Sequence, residues 1–527
     1  MNTGNGGNVS LADGVPANVH LVQVKGWQDD VYITNEDDSI IYIGEEYTNA
    51  GEIVNGHLVG YNAFSLSAVQ AIDSDTIIVE NGTYTGVSQL NGVKTEIRET
   101  GDTTLFQRGV YGGIRMLEEQ PGEGSAVNPV ESDIDLEITG GTFMKLIAGG
   151  TLVTLNNADA EYFVSGDTQT VSISGGKFEN TVAAGDRLQK GILHRIGDVG
   201  MEISGGTFTS FVAGGMMNVI TDLQSGHGCI DGNVEMTITG GTFSDNCWIY
   251  GGNVSSGKST VSANSTIKGS VTITIDAKGV ADEGIVLSHI IAGSHGYGHI
   301  EGKVQADESR LGTKVVFLGN GVNDDKAVVF TDNGELWGSS SSDSVSPITR
   351  KIASSVVKGD RVLSFMGFHG KLDCTNIRAF SKLEIKNRTK DKEGADLPAP
   401  INSNVILDHE NFNMSGIDVW DFDCGSTLSG NFKNDFAGDT LNLWGFSSIA
   451  TSQILMTDTL NTDERNVFNG FIRNATCNGL TAIKMDGTAV SDLVFADNAY
   501  TFSAANISYK LSLDTSDTST SMVLAKV

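Results

Sequence analysis

Apolar and polar residues alternate in four short runs between residues 133 and 252, and each run ends in isoleucine. Period-2 alternation predicts a β-strand with one face turned towards a core. Each run leads into one phrase: isoleucine, a hydroxyl residue, two glycines, a variable residue and phenylalanine. The phrases are Ile138–Phe143, Ile173–Phe178, Ile203–Phe208 and Ile238–Phe243. Their Gly-Gly pairs begin at 140, 175, 205 and 240, so the chain repeats every 30 to 35 residues.

Each repeat predicts two strands and two corners. Gly-Gly permits a sharp turn, because glycine reaches positive φ without a Cβ clash. A second glycine phrase, such as Ile147–Gly150, predicts the second corner, and a polar return segment leads to the next repeat. Such a unit buries its apolar face only when it is stacked on copies of itself. We therefore predict an all-β parallel β-solenoid. Its interior should contain one column of Ile138, Ile173, Ile203 and Ile238 and one of Phe143, Phe178, Phe208 and Phe243.

The segment before the first repeat carries a family resemblance. Ala68–Ile72, Asp75–Val79 and Gly82–Tyr84 resemble the N-terminal start of right-handed parallel β-helix proteins of the pectate-lyase-like superfamily. The Gly-Gly-Thr-Phe and Tyr-Gly-Gly phrases look like the repeats of bacterial surface β-helix proteins, including adhesins and autotransporter passengers. The resemblance covers residues 60–300 and implies a single elongated right-handed parallel β-helix. Lyases, glycosidases, tailspikes and adhesins share this start, so it implies fold rather than function.

Changes of pattern along the chain predict four regions. Residues 1–59 form an N-terminal extension with capping strands, and residues 60–300 form the regular glycine-rich repeats. Residues 301–500 form less regular rungs, and residues 501–527 form a C-terminal β cap. The regular repeats should therefore be closed at both ends, as solenoids require.

Two caps are predicted from local pattern. Phe64, Ala68 and Ile72 recur at helical spacing, which predicts a short N-terminal capping helix. Tyr509–Leu513 and Met522–Ala525 are apolar-alternating segments on either side of a polar turn, which predicts a C-terminal capping hairpin.

Charge narrows the range of partners. The chain has 34 basic and 65 acidic residues and a formal net charge of −31. Phosphate binding requires a basic face, so we expect neither nucleic acid nor an anionic membrane surface as a partner. We also expect no membrane insertion, because no run of 18 apolar residues occurs. An acidic surface attracts Ca²⁺, which is the one cation left open, and no other cofactor is expected.

Cysteine usage and the first residues bear on the compartment. Five cysteines in 527 residues, without a Cys-x-x-Cys pair, indicate neither a disulfide scaffold nor a zinc ribbon. Whether Cys229 and Cys247 are bridged stays open. Met1–Ser10 is polar and lacks the apolar segment of a secretory signal. The composition, poor in Lys and Arg and rich in Thr, Ser, Asn and Gly, favours the mature part of an extracellular or cell-surface protein.

Gly226-His227-Gly228 is the short motif closest to known chemistry. Pectic glycosidases of the resembled superfamily carry Gly-His-Gly after two acidic motifs and before Arg-x-Lys. Here Asn157-Ala158-Asp159 precedes the motif and Arg388-Thr389-Lys390 follows it, but Asp324-Asp325 comes after it instead of before. The set is incomplete and badly spaced for two-carboxylate hydrolysis. We therefore interpret His227 as part of a glycine-rich return loop.

A basic cluster is the second candidate. The return segments of successive repeats contain Lys190, His194, Arg195, His227, His295 and His299. If these segments stack, the side chains share one side of the solenoid, where they would bind acidic glycans and supply a base to a lyase. Arg195, His227 and His295 are the candidate catalytic residues if the protein is an enzyme. The alternative is that they are scattered loop residues that do not converge.

The function expected from the sequence is non-enzymatic. The outward position before each inward isoleucine holds Glu137, Ser172, Glu202 and Thr237 in turn, a face that repels anionic uronates. We predict a secreted or surface-displayed adhesin, structural or assembly protein. Its partners would be glycans, cell-surface molecules or copies of itself. The competing function is a polysaccharide lyase or glycoside hydrolase acting on acidic glycans in a groove. A third is a phage-type tailspike.

Overall fold

The structure is a computed structural model that describes residues 94–407, apart from gaps at 102, 114, 118–129, 132–133, 155–160, 221–225, 258–264, 277–283, 297, 307, 342–355 and 392–393. Elsewhere it describes separate short strands. Residues 61–71, which include most of the predicted capping helix, lie outside the described residues. The described part is all-β, with one helix of four residues, Asp324–Ala327. The chain divides into two compact units, Met1–Val271 with Ser294–Glu301 and Thr272–Gly293 with Gly302–Val527.

In the first unit, each repeat gives one strand to each of three parallel sheets. We call them the isoleucine, phenylalanine and corner sheets. The isoleucine sheet contains Thr76–Glu80, Lys94–Arg98, Ile134–Ile138, Glu161–Ile173, Arg187–Ile203 and Val234–Ile238. The phenylalanine sheet contains Gly82–Tyr84, Thr104–Phe106, Thr142–Phe143, Lys177–Phe178, Thr207–Phe208 and Thr242–Phe243. The corner sheet contains Gly51–Val54, Ser88–Gln89, Val110–Tyr111, Ile147–Ala148, Val182–Ala183, Phe211–Ala213 and Trp248–Tyr250.

Further strands of the first unit lie between the corner sheet and the next isoleucine strand. These return strands are Arg115–Leu117, Val130–Glu131, Leu152–Thr154, Met217–Ile220, Gly226–Ile230, Val254–Gly257, Ser265–Ile267 and His299–Ile300. Among the described strands of this unit, three short pairings are antiparallel. They join Val19–Gln23 to Val31–Asn35, Gly51–Val54 to His57–Gly60, and Ile72–Asp73 to Thr76–Glu80.

The predicted apolar columns are confirmed. Ile138 pairs with Ile173, Ile173 with Ile203 and Ile203 with Ile238, and all four side chains are at most 1% exposed. The phenylalanine rings stack with centroids 4.7–5.0 Å apart and are equally buried. Phe106 extends that ladder by one ring beyond Phe143. The spacing equals the ordinary distance between paired strands, so each ring repeats the strand register.

The Gly-Gly corner needs each glycine for a different reason. A Cβ on Gly175 would lie 2.2 Å from the carbonyl oxygen of Thr139 in the preceding repeat, so only glycine fits. Gly176 has a φ of 103°, a conformation that side chains with a Cβ rarely adopt.

Four polar side chains and one methionine fill the interior directly after the corner glycines. This corner column consists of Thr151, Asp186, Met216, Asn253 and Ser294, joined rung to rung by backbone hydrogen bonds of the following residues. Three of its side chains accept a hydrogen bond from a main-chain N–H one repeat earlier. Asp186 accepts from Thr151 at 2.6 Å, Asn253 from Met216 at 2.7 Å and Ser294 from Asn253 at 3.1 Å.

The return segments correct one expectation. They were predicted to be loops, yet Arg187–Ile203 is one strand of 17 residues. Its inward positions, Leu188 and Leu193 among them, are fully buried. Polar residues are compatible with a strand when they alternate with buried inward residues, because only one face of the strand meets the core.

The main length difference between repeats of 30 and 35 residues lies near Gly191. Thr154 pairs with Lys190 and Glu161 pairs with Ile192, so residues 155–160 stand where the next repeat has only Gly191. Gly191 has a φ of 98° and pairs with Gly226 in the following repeat. Pairing resumes beyond the extra residues, with one register shift between Val153 and Thr154 and another between Ser165 and Thr168.

The second unit is also mainly parallel. Its longest sheet pairs Arg310–Leu318, Asp360–Met366, Lys382–Lys386, Val419–Phe422, Thr440–Asn442 and Thr481–Ile483 in that order. Other parallel sets are Ile285–Leu287 with Val328–Phe330; His289–Ile291, Glu335–Trp337 and Asn376–Arg378; and His369–Leu372, Asn404–Leu407, Thr427–Asn431 and Leu455–Thr457. Val271–Asp276 begins at the last residue of the first unit.

Antiparallel pairs in the second unit are few among the described strands. They join Lys303–Val304 to Arg310–Leu318, Arg388–Lys390 to Asp396–Ile401, and Thr481–Ile483 to Ala489–Val490. At the C-terminus, Ala499–Ala504, Ile507–Ser516 and Ser519–Lys526 form an antiparallel sheet. Leu511 lies opposite Leu524, so the predicted hairpin pairing is present.

Together the long parallel sheets are compatible with a β-solenoid. Within the part of the chain that the structure describes, no helix is long and apolar enough to cross a membrane.

Candidate functional site

The return strands of the first unit carry a chemically mixed outward column. By strand register it contains Phe163, His194, Cys229, Thr266 and His299, one residue per repeat. Neighbouring members lie on paired strands, so their side chains project from the same face at the inter-strand spacing. We call this set the outer column.

His194 is held in place by its neighbour in the outer column. Its imidazole stacks on the ring of Phe163, with centroids 4.6 Å apart and planes 10° apart. The Nδ1 atom of His194 is buried and makes no hydrogen bond within the described residues. Stacking therefore fixes the orientation of the ring, while Nδ1 has no hydrogen-bond partner among the described residues.

Cys229 and Asp231 face His194 from the next repeat. The Cys229 Sγ lies 3.2 Å from Oδ1 of Asp231, and this cysteine is free and 4% exposed. Burial raises the pKa of the Cys229 thiol to about 12, and the Asp231 carboxylate contributes to that rise. Asp231 forms an ion pair with Lys268, whose Nζ lies 2.7 Å from Oδ1. This contact with Asp231 raises the pKa of Lys268.

His194, Cys229 and Asp231 together form the candidate site, which we call the His–Cys–Asp cluster. One potential ligand atom from each residue lies within 4.8 Å of the other two. Imidazole nitrogen, thiolate sulfur and carboxylate oxygen are the three protein ligands that zinc accepts.

Two further histidines lie beside the cluster. The Nε2 atom of His227 lies 3.3 Å from the Thr266 hydroxyl. Burial lowers the pKa of His227, and the neighbouring imidazoles of His194 and His299 lower it further. Three members of the predicted basic cluster are therefore close together on one face. Lys190 lies on the same strand as His194, opposite Thr154.

Arg195 points to the other side of the sheet. It is 1% exposed and occupies an inward column that other repeats fill with Val164, Ile230, Ile267 and Ile300. Its Nε donates to Oδ2 of Asp186 at 2.9 Å, and its Nη2 donates to Oδ1. This side chain belongs to a core ion pair, because successive residues of a strand face opposite sides.

His295 lies away from the outer column, at a corner. Its Nδ1 is 2.8 Å from the carbonyl oxygen of Ser255. Its ring contacts Phe211 and Tyr250, with centroid distances of 5.4 and 5.3 Å. The three candidate catalytic residues thus occupy three different environments.

Two members of the glycosidase-like motif, Gly228 and Asp324, are held by packing or hydrogen bonds within the fold. A Cβ on Gly228 would lie 2.4 Å from Oδ1 of Asn218, so this glycine is needed for packing. Asp324 is fully buried and accepts hydrogen bonds from the main-chain N–H groups of Asn320 and His369. Burial raises the pKa of Asp324, and those hydrogen bonds oppose the rise. Residues 157–159 lie outside the described residues.

The sequence contains a signal for the His–Cys–Asp cluster that motif reasoning missed. Cys229 follows His194 by 35 residues, which is one repeat, and Asp231 lies two residues further on. Period 2 places Cys229 and Asp231 on one strand face, and the repeat places His194 beside them. The relation was missed because the cysteines were considered only as disulfide partners or as Cys-x-x-Cys zinc ligands.

Comparison with known proteins gives no relative for this chain. No protein-family model, no curated protein and no solved structure matches it.

Proposed function

We propose that the chain is a right-handed parallel β-helix that acts outside the cell as a non-enzymatic binding scaffold. The C-terminal antiparallel strands would cap it. The observation that carries this proposal is the outward face of the isoleucine sheet. Register places Glu96, Glu137, Ser172, Glu202 and Thr237 in one line, one residue per repeat.

The chemistry of this line favours a hydroxyl-rich ligand. Carboxylates accept hydrogen bonds from sugar hydroxyls, and the serine and threonine hydroxyls both donate and accept. Paired strands hold these groups about 4.8 Å apart on a surface that is already ordered before binding. Such preorganisation lowers the entropic cost of association. We infer that the partner is a neutral, cell-surface glycan.

Charge and burial support binding over cleavage of acidic glycans. The net charge of −31 opposes the approach of a polyuronate. Arg195, the strongest candidate to hold a uronate carboxylate, has its guanidinium on buried Asp186. A lyase built on this face would need a different cation.

The proposal is tested by offering the purified chain neutral and acidic polysaccharides. Binding is measured by co-sedimentation, and cleavage by new reducing or unsaturated ends. We expect a neutral glycan to bind without new ends, and the triple variant Glu96→Gln, Glu137→Gln and Glu202→Gln to bind at least about tenfold more weakly. Glu179→Gln, an exposed acid on the phenylalanine sheet, is the matched control and should bind normally. Binding of no neutral glycan, or equal binding by the triple variant, would remove the basis of the proposal.

One observation favours the competing lyase or hydrolase function. His194, His227 and His299 lie together on one face, and a neutral imidazole there is a suitable general base. Release of unsaturated or reducing ends that disappears in His227→Ala and persists in His295→Ala would establish this function instead.

A further inference from the structure

We propose that the His–Cys–Asp cluster is a transition-metal site of the zinc class, with His194, Cys229 and Asp231 as its protein ligands. Nothing in this proposal depends on the glycan-binding function. It rests on the arrangement of three donor atoms contributed by two neighbouring repeats.

The three donor atoms lie near enough to one another to converge on one tetrahedral ion. Metal–ligand distances of about 2.0–2.3 Å place the ligand atoms of a tetrahedron roughly 3.4–3.6 Å apart. The three donor atoms already lie within 4.8 Å of one another, and Sγ of Cys229 is 3.2 Å from Oδ1 of Asp231. Small side-chain rotations are enough to bring all three to the required separations.

The backbone holds the donors in position. His194 and Cys229 are opposite residues of a parallel pair, so their separation is set by the sheet. The main-chain N–H of Asp231 donates to the carbonyl oxygen of Arg195 at 2.8 Å, which continues the register for one more residue. Phe163 fixes the plane of the His194 ring. A site on strands and stacked rings loses little freedom when the ion binds.

The unsatisfied nitrogen supports a ligand at this place. A buried polar atom without a partner is uncommon in folded proteins and has a free-energy cost. Nδ1 of His194 is such an atom within the described residues. Coordination by the ring satisfies it directly when Nδ1 binds the ion.

The donor set selects the class of metal. Thiolate and imidazole favour Zn²⁺ and similar first-row ions, whereas Ca²⁺ and Mg²⁺ require mostly oxygen ligands. Three protein ligands leave the fourth tetrahedral position for water or an external ligand. The Ca²⁺ left open by the acidic composition would therefore not bind here.

The ammonium group of Lys268 now neutralises the Asp231 carboxylate, and a bound metal ion would take over that role. Its Nζ contacts Oδ1 of Asp231 at 2.7 Å, and its side chain is 53% exposed. An exposed ion pair contributes little stability, so its ammonium group can move into solvent at small cost. Asp231 then becomes available to the metal without leaving a buried charge unpaired.

Cobalt(II) gives the decisive measurement. The full chain is reduced, stripped of metal with a chelator and titrated with Co²⁺ without oxygen. We expect one equivalent to produce a thiolate-to-cobalt charge-transfer band and the strong visible bands of tetrahedral cobalt. Zn²⁺ should displace the signal, and excess Ca²⁺ should not. Absence of the charge-transfer band, or only the weak spectrum of six-coordinate cobalt, overturns the proposal.

Variants assign the ligands. Cys229→Ala should abolish the charge-transfer band, while His194→Phe, which keeps a ring on Phe163, and Asp231→Asn should each weaken binding at least about 100-fold. Cys247→Ala removes a buried thiol outside the cluster and is the matched control. Circular dichroism shows whether each variant is folded. If Cys229→Ala does not fold, the two other variants decide. A charge-transfer band that survives in Cys229→Ala, or affinities unchanged in His194→Phe and Asp231→Asn, contradicts the assignment.

Discussion

The interior of the first unit is filled in two contrasting ways. Along the strands, isoleucines and phenylalanines stack on identical neighbours from repeat to repeat. Directly after the corner glycines, the corner column contains an acid, an amide and hydroxyls that are equally buried. The two regions are parts of the same turns of chain, so the difference arises from the backbone that each side chain meets.

Buried polar side chains in a repeat serve as hydrogen-bond acceptors for main-chain N–H groups. Along the strands, main-chain N–H groups bond to the neighbouring strand, and apolar side chains have only each other to contact. At the corner, Asp186, Asn253 and Ser294 accept from main-chain N–H groups of the preceding repeat. A buried N–H without a partner has a substantial free-energy cost. Polar residues at the corner therefore stabilise the stack of repeats by accepting main-chain hydrogen bonds, as apolar residues do along the strands by packing.

The largest loss of stability is expected when a charged residue replaces an apolar one in an isoleucine or phenylalanine column. Ile203→Asp places a carboxylate at a position that is 1% exposed and has no partner for it. We expect a loss of about 5 kcal/mol or more in the free energy of unfolding, measured by urea denaturation. Ser174→Asp, on an exposed position of a corner, is the control and should change stability by less than about 0.5 kcal/mol. Equal midpoints for both variants would mean that the register is wrong.

Removing one ring tests whether the phenylalanine ladder stabilises as a unit. Phe208 stacks on Phe178 and Phe243, so Phe208→Ala leaves a cavity between two rings. We expect a loss of about 4 kcal/mol in a urea titration. Phe211, a half-buried ring on the outer face of the corner sheet, is the matched control. A loss in Phe211→Ala as large as that in Phe208→Ala would contradict the ladder's role.

The buried ion pair tests the polar side of the comparison. Arg195→Met leaves Asp186 buried and uncompensated, and we expect a loss of about 3 kcal/mol. Adding Asp186→Asn removes the unpaired charge and keeps an oxygen for the N–H of Thr151, so the double variant should recover more than half of that loss. Thermal and urea unfolding of the cycle measure the coupling. Lys177→Met, which breaks an exposed ion pair with Glu179, should cost less than about 0.5 kcal/mol. A double variant no more stable than Arg195→Met would show that the charge is not the source of the loss.

The smallest expected effect is the loss of one corner acceptor. Asn253→Ala leaves the N–H of Met216 without its acceptor at 2.7 Å, and we expect a loss of about 2 kcal/mol. Hydrogen exchange should show weaker protection at Met216 than in the unaltered protein. Asn180→Ala removes a similar bond to Thr181 at a half-buried position and should have a smaller effect, because water can replace the oxygen. Unchanged protection at Met216 would refute the role of Asn253.

The repeat pattern made the apolar columns predictable. Ile203 and Phe208 recur with the same neighbours in every repeat, and strand periodicity fixes the face on which each lies. The corner glycines were predictable for the same reason. The inward column that contains Arg195 was not, because a charged residue indicates a solvent-facing position unless its partner is known. Asp186 lies nine residues away, and no local periodicity relates the two.

Of the His–Cys–Asp cluster, the position of His194 was predicted from the sequence, and the role of Cys229 was not. His194 was grouped correctly with His227 and His299, because repeat stacking brings return segments together. Cys229 was missed, since a buried thiol and a ligating thiol have the same sequence signature until strand register is assigned. Repeat spacing relates His194 to Cys229 only once the return segments are aligned as paired strands, and these segments were expected to be loops.

The five-residue length difference at Gly191 has a consequence for how such a chain can change. Residues 155–160 replace a single glycine, yet pairing resumes at Glu161 and Ile192, with one register shift on each side. Length therefore varies at this point of the repeat, while the strands before and after it stay paired with those of the next repeat. A gene encoding this fold can therefore lengthen the repeat here through small in-frame insertions.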